Sequence, residues 1–255
     1  MTATAEASQR LGRIEFDQGR HHRAKIGYLL LATEQTIQDD VHRLAPAGVG
    51  VHMTRVAIPD SITVETLLAQ ADGLAEAAAL LLPDGSLDVV CYACTSGSLV
   101  IGEDRVSSAL RQGAPGAKPT SLITAVIEAL RAVEARRIVV GTPYLDEINE
   151  LERVYLERAG FQVLAIEGLD LERDSDMVRV TPDFLARFAE RLDRADAEAV
   201  FLSCGALRSL DIVERVERAI GKPFIVSNQA MIWHTLRLAG IDDRIDGFGR
   251  LLREH

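Results

Sequence analysis

Short apolar runs alternate with amphipathic segments along nearly the whole chain, and this alternation limits the fold more than any other feature. Strands are predicted at 25–32 (KIGYLLLA), 49–58, 88–93 (DVVCYA), 137–142, 162–169, 198–203 (EAVFLS) and 223–228. Apolar residues three and four apart predict helices over 64–82, 98–112, 121–134, 145–160, 181–194, 209–220 and 229–240, with GAPGAKP as a turn. Strand followed by helix, repeated, is the pattern of parallel sheets with covering helices, an α/β fold. A chain of 255 residues, 47% apolar and 26% charged, has material for one large domain or two small ones.

A longer echo lies over this alternation. One unit reads strand, cysteine-bearing loop, helix, GAKP and the helix of TSLITAVIEALRAV; the other reads strand, cysteine-bearing loop, helix, GKP and FIVSNQAMIWHTLRLAG. The match lies in element order and cysteine placement, and it predicts two related halves. Each half offers a cysteine, Cys94 or Cys204, just past the carboxyl end of a strand, where open α/β sheets bind ligands. Two such halves face to face would put both thiols in one cleft. Cys91, the third and last cysteine, falls inside its strand and reads as a small buried hydrophobe.

The loops suit an anionic guest. A strand-to-helix turn presents free N–H groups; Thr95, Ser96 and Ser98 add hydroxyls, and Gly205 lets a ligand approach the backbone. Such groups are expected to bind a carboxylate and to lower a thiol's pKa. Two thiols flanking one carbon can remove and return a proton without a cofactor; alternatively, one thiolate can add to an activated double bond and leave again. Tyr144 also follows a strand, and reads as packing unless its hydroxyl reaches the cleft. CYAC has the spacing of a redox pair, but its first cysteine lies within a strand rather than at a helix start. The six histidines lack metal-ligand spacing with the cysteines, and neither a P-loop nor GxGxxG is present, so neither metal nor other cofactor is expected.

A net charge of −10 argues against a nucleic-acid partner. No apolar run reaches the roughly 18 residues of a membrane span, and the N-terminus lacks the apolar core of a signal peptide. Residues 1–23 are expected to form a poorly ordered extension of a cytoplasmic protein.

The motifs CTSGS (94–98), GTPYLDEIN (141–149), SCGALRSLDIVERVE (203–217) and GKPFIVSNQAMIWHTLRLAGI (221–241) resemble the aspartate/glutamate racemase superfamily. The branch is that of maleate cis-trans isomerase and arylmalonate decarboxylase, and the likeness spans roughly residues 24–250. Within it, residues 30–56 and CYACTSGSLVIG look most like the racemase-like protein of ectoine-utilisation clusters. The resemblance implies two pseudo-symmetric, Rossmann-like parallel-sheet α/β domains with the active site in the cleft between them and no cofactor. It implies a first domain of residues 24–118 plus 223–255, a second of 119–222, and a possible homodimer. It makes Cys94 and Cys204 the catalytic pair, and Thr95, Ser96, Tyr144 and Gly205 the binders of a substrate carboxylate. A cysteine at both positions favours racemase or isomerase chemistry over decarboxylation.

Two departures bear on substrate. Maleate isomerases carry an asparagine where LATEQT has Glu34, next to Thr33; both residues are expected to face the substrate, where a carboxylate suits an amine or neutral group better than a second acid. Near RDSDMVRV those enzymes offer another asparagine, whereas this chain offers Asp174, Ser175 and Asp176. The expectation is a racemase of a small carboxylate, an amino acid derivative such as an acylated diaminobutyrate. A maleate-type isomerase, an arylmalonate-type decarboxylase and a non-catalytic binder of small acids stand as alternatives.

Overall fold

The computed structural model describes residues 14–255; of the extension expected over 1–23, residues 1–13 lie outside the described residues, and 14–23 are irregular and mostly exposed. The first half runs β1 (Ala24–Leu31), α1 (Ile37–Leu44), β2 (Val49–Val56), α2 (Val64–Ala69), α3 (Leu74–Ala79), β3 (Val89–Tyr92), α4 (Thr95–Ile101), α5 (Glu103–Gly113), β4 (Lys118–Ser121) and α6 (Leu122–Ala132). The second runs β5 (Arg137–Thr142), α7 (Asp146–Arg158), β6 (Gln162–Gly168), α8 (Asp174–Met177), α9 (Pro182–Leu192), β7 (Ala199–Leu202), α10 (Val213–Ile220), β8 (Phe224–Val226), α11 (Ser227–Leu238) and α12 (Arg250–Glu254).

Two four-stranded parallel sheets result, ordered β2-β1-β3-β4 and β6-β5-β7-β8. Counted within its own half, each order is second-first-third-fourth, so the echo in the sequence is a repeat of topology. Strands β3, β7 and β8 are buried throughout, as expected of parallel strands covered on both faces. Edge strands β2 and β6 are half-buried along most of their length.

The structure corrects several sequence expectations. GAPGAKP is not all turn: Lys118–Ser121 form edge strand β4, where Pro119 is tolerated because an edge strand can lack one N–H. The helix expected over 64–82 is two helices joined by a 3₁₀ turn, Gln70–Gly73, at the weakly helical Asp72-Gly73. The helix expected over 98–112 begins earlier, at Thr95, and breaks at Gly102, whose φ of +89° suits only glycine well. Short helices α1, α8 and α12 are additional.

The expected return of residues 223–255 to the first domain is corrected in part. Strand β8 pairs with β7 and stays in the second sheet, because its backbone completes that edge; β4 likewise keeps residues 119–121 in the first sheet. The crossing is made by the helices that follow these strands: α6 and α11 pack along each other between the sheets. Their apolar faces join Ile26, Val89 and Cys91 of one sheet with Ile138, Phe201 and Ile225 of the other in one cluster.

Candidate active site

Each cysteine loop starts two residues past the third strand of its sheet. Cys94 is the N-cap of α4, and its sulfur accepts the Gly97 N–H at 3.2 Å and lies 3.7 Å from the Ser96 hydroxyl. The Ser98 hydroxyl donates to the Cys94 carbonyl, securing the turn. Gly97 is needed here: a Cβ would stand 2.2 Å from the Tyr92 hydroxyl and 3.0 Å from the Cys94 sulfur.

Cys204 holds φ at +97°, a conformation that costs a non-glycine residue on the order of 1–3 kcal/mol and that folds retain where geometry is at a premium. Its sulfur accepts the Ala206 N–H at 3.4 Å. Its own N–H donates to the Ser227 hydroxyl at 2.9 Å, and that hydroxyl lies 3.2 Å from Thr95 Oγ1. Ser227, the first residue of α11, therefore ties the two cysteine loops together. Asn228 fixes the second loop further, donating to the carbonyl of Gly205 and to Asp40, while Thr36 donates to Ala206. A Cβ on Gly205 would meet Ile37 at 2.6 Å.

Both cysteines line one small cavity of about 20 Å³ between the sheets, with Thr95, Ser96, Tyr144, Gly205 and Glu34. Thr33 stands behind this wall and donates to the Asp174 carboxylate, which also lines the cavity. Of the three residues left open at 174–176, Asp174 enters. Ser175 is bonded to Asp60 at the rim, and Asp176 is exposed beside Arg179. Tyr144 is buried and lines the cavity together with Cys204. Its backbone is set by Asn149, which donates to the Tyr144 carbonyl, and by Thr142, which accepts the Tyr144 N–H. Sequence reasoning missed Tyr92, Ile62, Met177 and the bridging role of Ser227. The first three carry no signal beyond apolar patterning.

Expected thiol acidification is reversed. The N–H groups of Gly97 and Ala206 do favour thiolate, but burial outweighs them: it pushes Cys94 up to about 11 and Cys204 further still. The Asp174 charge raises both, and the Tyr144 hydroxyl lowers Cys204. Cys91, wholly inside β3, is pushed up by burial alone and touches neither loop's chemistry. Glu34 and Asp174 are themselves raised, chiefly by burial. Among the described residues, no group of three or more His, Cys, Asp or Glu could hold a metal, and no helix is long and apolar enough to cross a membrane.

Known proteins share this fold. The chain is 27% identical to the maleate isomerase of Nocardia farcinica over 242 residues, 90% of this chain and 96% of the relative. It is 34% identical to the arylmalonate decarboxylase of Bordetella bronchiseptica over 144 residues, 55% and 60% of the two chains. Among solved structures, a cysteine-to-serine mutant of the Nocardia farcinica maleate cis-trans isomerase with a covalently bound succinylcysteine intermediate superposes with a TM-score of 0.83. That match is 25% identical and covers 91% of this chain and 99% of the other. Residues 58–252 match the profile of one family across most of that two-sheet body: the chain belongs to the arylmalonate decarboxylase family.

Proposed function

We propose that the protein is a cofactor-independent racemase of a small carboxylate, an amino acid derivative of the kind met in ectoine degradation, with Cys94 and Cys204 as its acid/base pair. The observation that carries this reading is the presence of two thiols in one cavity, delivered by equivalent loops of topologically equivalent sheets. One cysteine, as thiolate, takes the proton from the carbon next to the substrate carboxylate; the other, as thiol, gives a proton to the opposite face. After one turnover the two have exchanged protonation states, so charge balances. The hydroxyls of Thr95 and Ser96 and the backbone at Gly205 hold the carboxylate, and their hydrogen bonds strengthen as it gains enediolate charge. Tyr144 supports Cys204 when that sulfur is the thiolate.

A second reading, cis-trans isomerisation by thiolate addition, is favoured by the succinylcysteine bound in the Nocardia farcinica neighbour. In this reading a thiolate adds to one alkene carbon and pushes the double-bond pair onto the neighbouring carboxylate as an enediolate; the resulting single bond rotates, the enediolate pair re-forms the double bond, and sulfur leaves as thiolate with the carbon–sulfur bonding pair. Solvent deuterium separates the two, because racemisation exchanges the proton at carbon. Over a panel of amino and hydroxy acids, the wild-type protein incorporates deuterium into its substrate. Cys94→Ser and Cys204→Ser each lose about a hundredfold or more of that rate. Exchange retained in both single variants would overturn the proposal.

A further inference from the structure

One wall of the cavity carries negative charge that the protein does not answer. Glu34 uses Oε1 to accept the N–H groups of Thr36 and Ile37, while Oε2 is buried without any hydrogen-bond partner. Asp174 accepts from the Thr33 hydroxyl through Oδ2 only. The two residues are 5% and 3% exposed, and no Lys, Arg or His lines the cavity. Arg55 lies behind Glu34, but its guanidinium donates to the carbonyls of Leu31, Ala32 and Glu34. A buried carboxylate oxygen left unpaired is costly, and a guest that brings N–H donors and positive charge removes the cost.

Resting on the isomerase reading, we propose that Asp174 and Glu34 form a subsite for positively charged nitrogen. Asp174 would take the ammonium on the reacting carbon and Glu34 a donor further along the substrate. The substrate is then an ammonium-bearing carboxylate, and a dicarboxylate is rejected. The division between the two acids follows from what each one faces. Asp174 lines the same cavity as Cys94 and Cys204, with Oδ2 tied back to Thr33. Glu34 also lines the cavity but is anchored at the start of α1, where Oε1 accepts the N–H groups of Thr36 and Ile37.

This arrangement couples binding to activation. An ionised Asp174 opposes a second negative charge on either sulfur, adding to the burial that keeps both thiols protonated. An ammonium docked on Asp174 cancels that opposition, and thiolate forms when a substrate of the right charge is present. A dicarboxylate would add to the repulsion instead.

The test uses 2,4-diaminobutyrate, which offers a nitrogen to each acid, and maleate, which offers none. Calorimetry measures binding of both to the wild-type protein and to Asp174→Asn, and ultraviolet thiolate absorbance is read alongside. The wild-type protein is expected to bind diaminobutyrate at least about tenfold more tightly than maleate and to gain thiolate absorbance on binding it. Asp174→Asn should lose about tenfold or more of the diaminobutyrate affinity, and in an alkaline titration without ligand its thiolate absorbance should rise at a lower pH than that of wild type. Cys91, buried in β3, stays unreactive to iodoacetamide if the variant is folded. Equal or tighter binding of maleate, no measurable binding of diaminobutyrate, or an Asp174→Asn protein unchanged in affinity and thiolate would overturn the subsite. The outcome is separable from that of the isomerase reading: if Cys94→Ser and Cys204→Ser keep solvent exchange while the binding contrast holds, the acid/base pair falls and the subsite stands.

Discussion

Gly97→Ala should damage the protein through one identifiable contact. The added methyl would lie 2.2 Å from the Tyr92 hydroxyl and 3.0 Å from both Tyr92 Cζ and the Cys94 sulfur. Tyr92 is fully buried, and its hydroxyl donates to Gln70 Oε1 at 2.9 Å, so the ring has nowhere to retreat without breaking that bond. Overpacking of this kind costs about 1–3 kcal/mol. Loss of the Gln70 bond leaves buried polar atoms unpaired for about 1–3 kcal/mol more. Alanine in place of glycine inside a helix returns about 1 kcal/mol. The net expectation is about 1–5 kcal/mol of destabilisation, read as a lower urea midpoint at unchanged slope. Tyr92→Phe removes the closest atom, so the double variant should be more stable than the sum of the single effects by about 1–2 kcal/mol. Additivity within about 0.5 kcal/mol would mean that the Tyr92 hydroxyl is not what excludes a side chain at position 97.

Two further expectations follow from groups around the cleft. Glu152 is wholly buried on α7, where burial pushes it from 4.5 up to about 7 while the Ser203 hydroxyl beside it pulls the other way. Below about pH 4.5 it is protonated in folded and unfolded chains alike; above that the unfolded chain loses the proton first. Stability should therefore fall as pH rises from about 4.5 to about 7, by about 3 kcal/mol at roughly 1.4 kcal/mol per pH unit, and level off beyond. Glu152→Gln should make this decline shallower by about 3 kcal/mol in urea titrations at the two ends of the range, and an unchanged decline would remove Glu152 from it. Asp60, at the rim, accepts from the Arg173 guanidinium and from the N–H and hydroxyl of Ser175. Asp60→Ala should let iodoacetamide reach Cys94 and Cys204 severalfold faster with little change in the urea midpoint; an unchanged alkylation rate would remove Asp60 from any part in access.

Much of this was legible because parallel strands covered on both faces read as plain apolar runs and the cysteines fall just past two of them. The α/β fold, both thiols and the Thr95-Ser96 turn follow from that pattern. Strand β4 was hidden because four residues including Pro119 give too short a signal. Helix α1 was hidden because its polar face outnumbers its apolar one: only Ile37, Val41 and Leu44 are apolar and buried. The thiol environment was misjudged for a different reason: sequence displays the N–H groups that favour thiolate but not the depth of burial that opposes it. Asp174 could be named and not chosen, since only its burial and its bond from Thr33 separate it from Ser175 and Asp176.

The apolar seam made by α6 and α11 governs how anything reaches the thiols. With Ile26, Val89, Ile138, Phe201 and Ile225 fused into one mass beneath the cleft, the lobes are welded along their floor and cannot swing apart like jaws without tearing open that interior. Traffic has to pass over the roof, where residues 60–62 of one half clasp 172–175 of the other through backbone and ionic contacts. Those few contacts bridge the two halves above the thiols, and any widening of the cleft on that side has to part them.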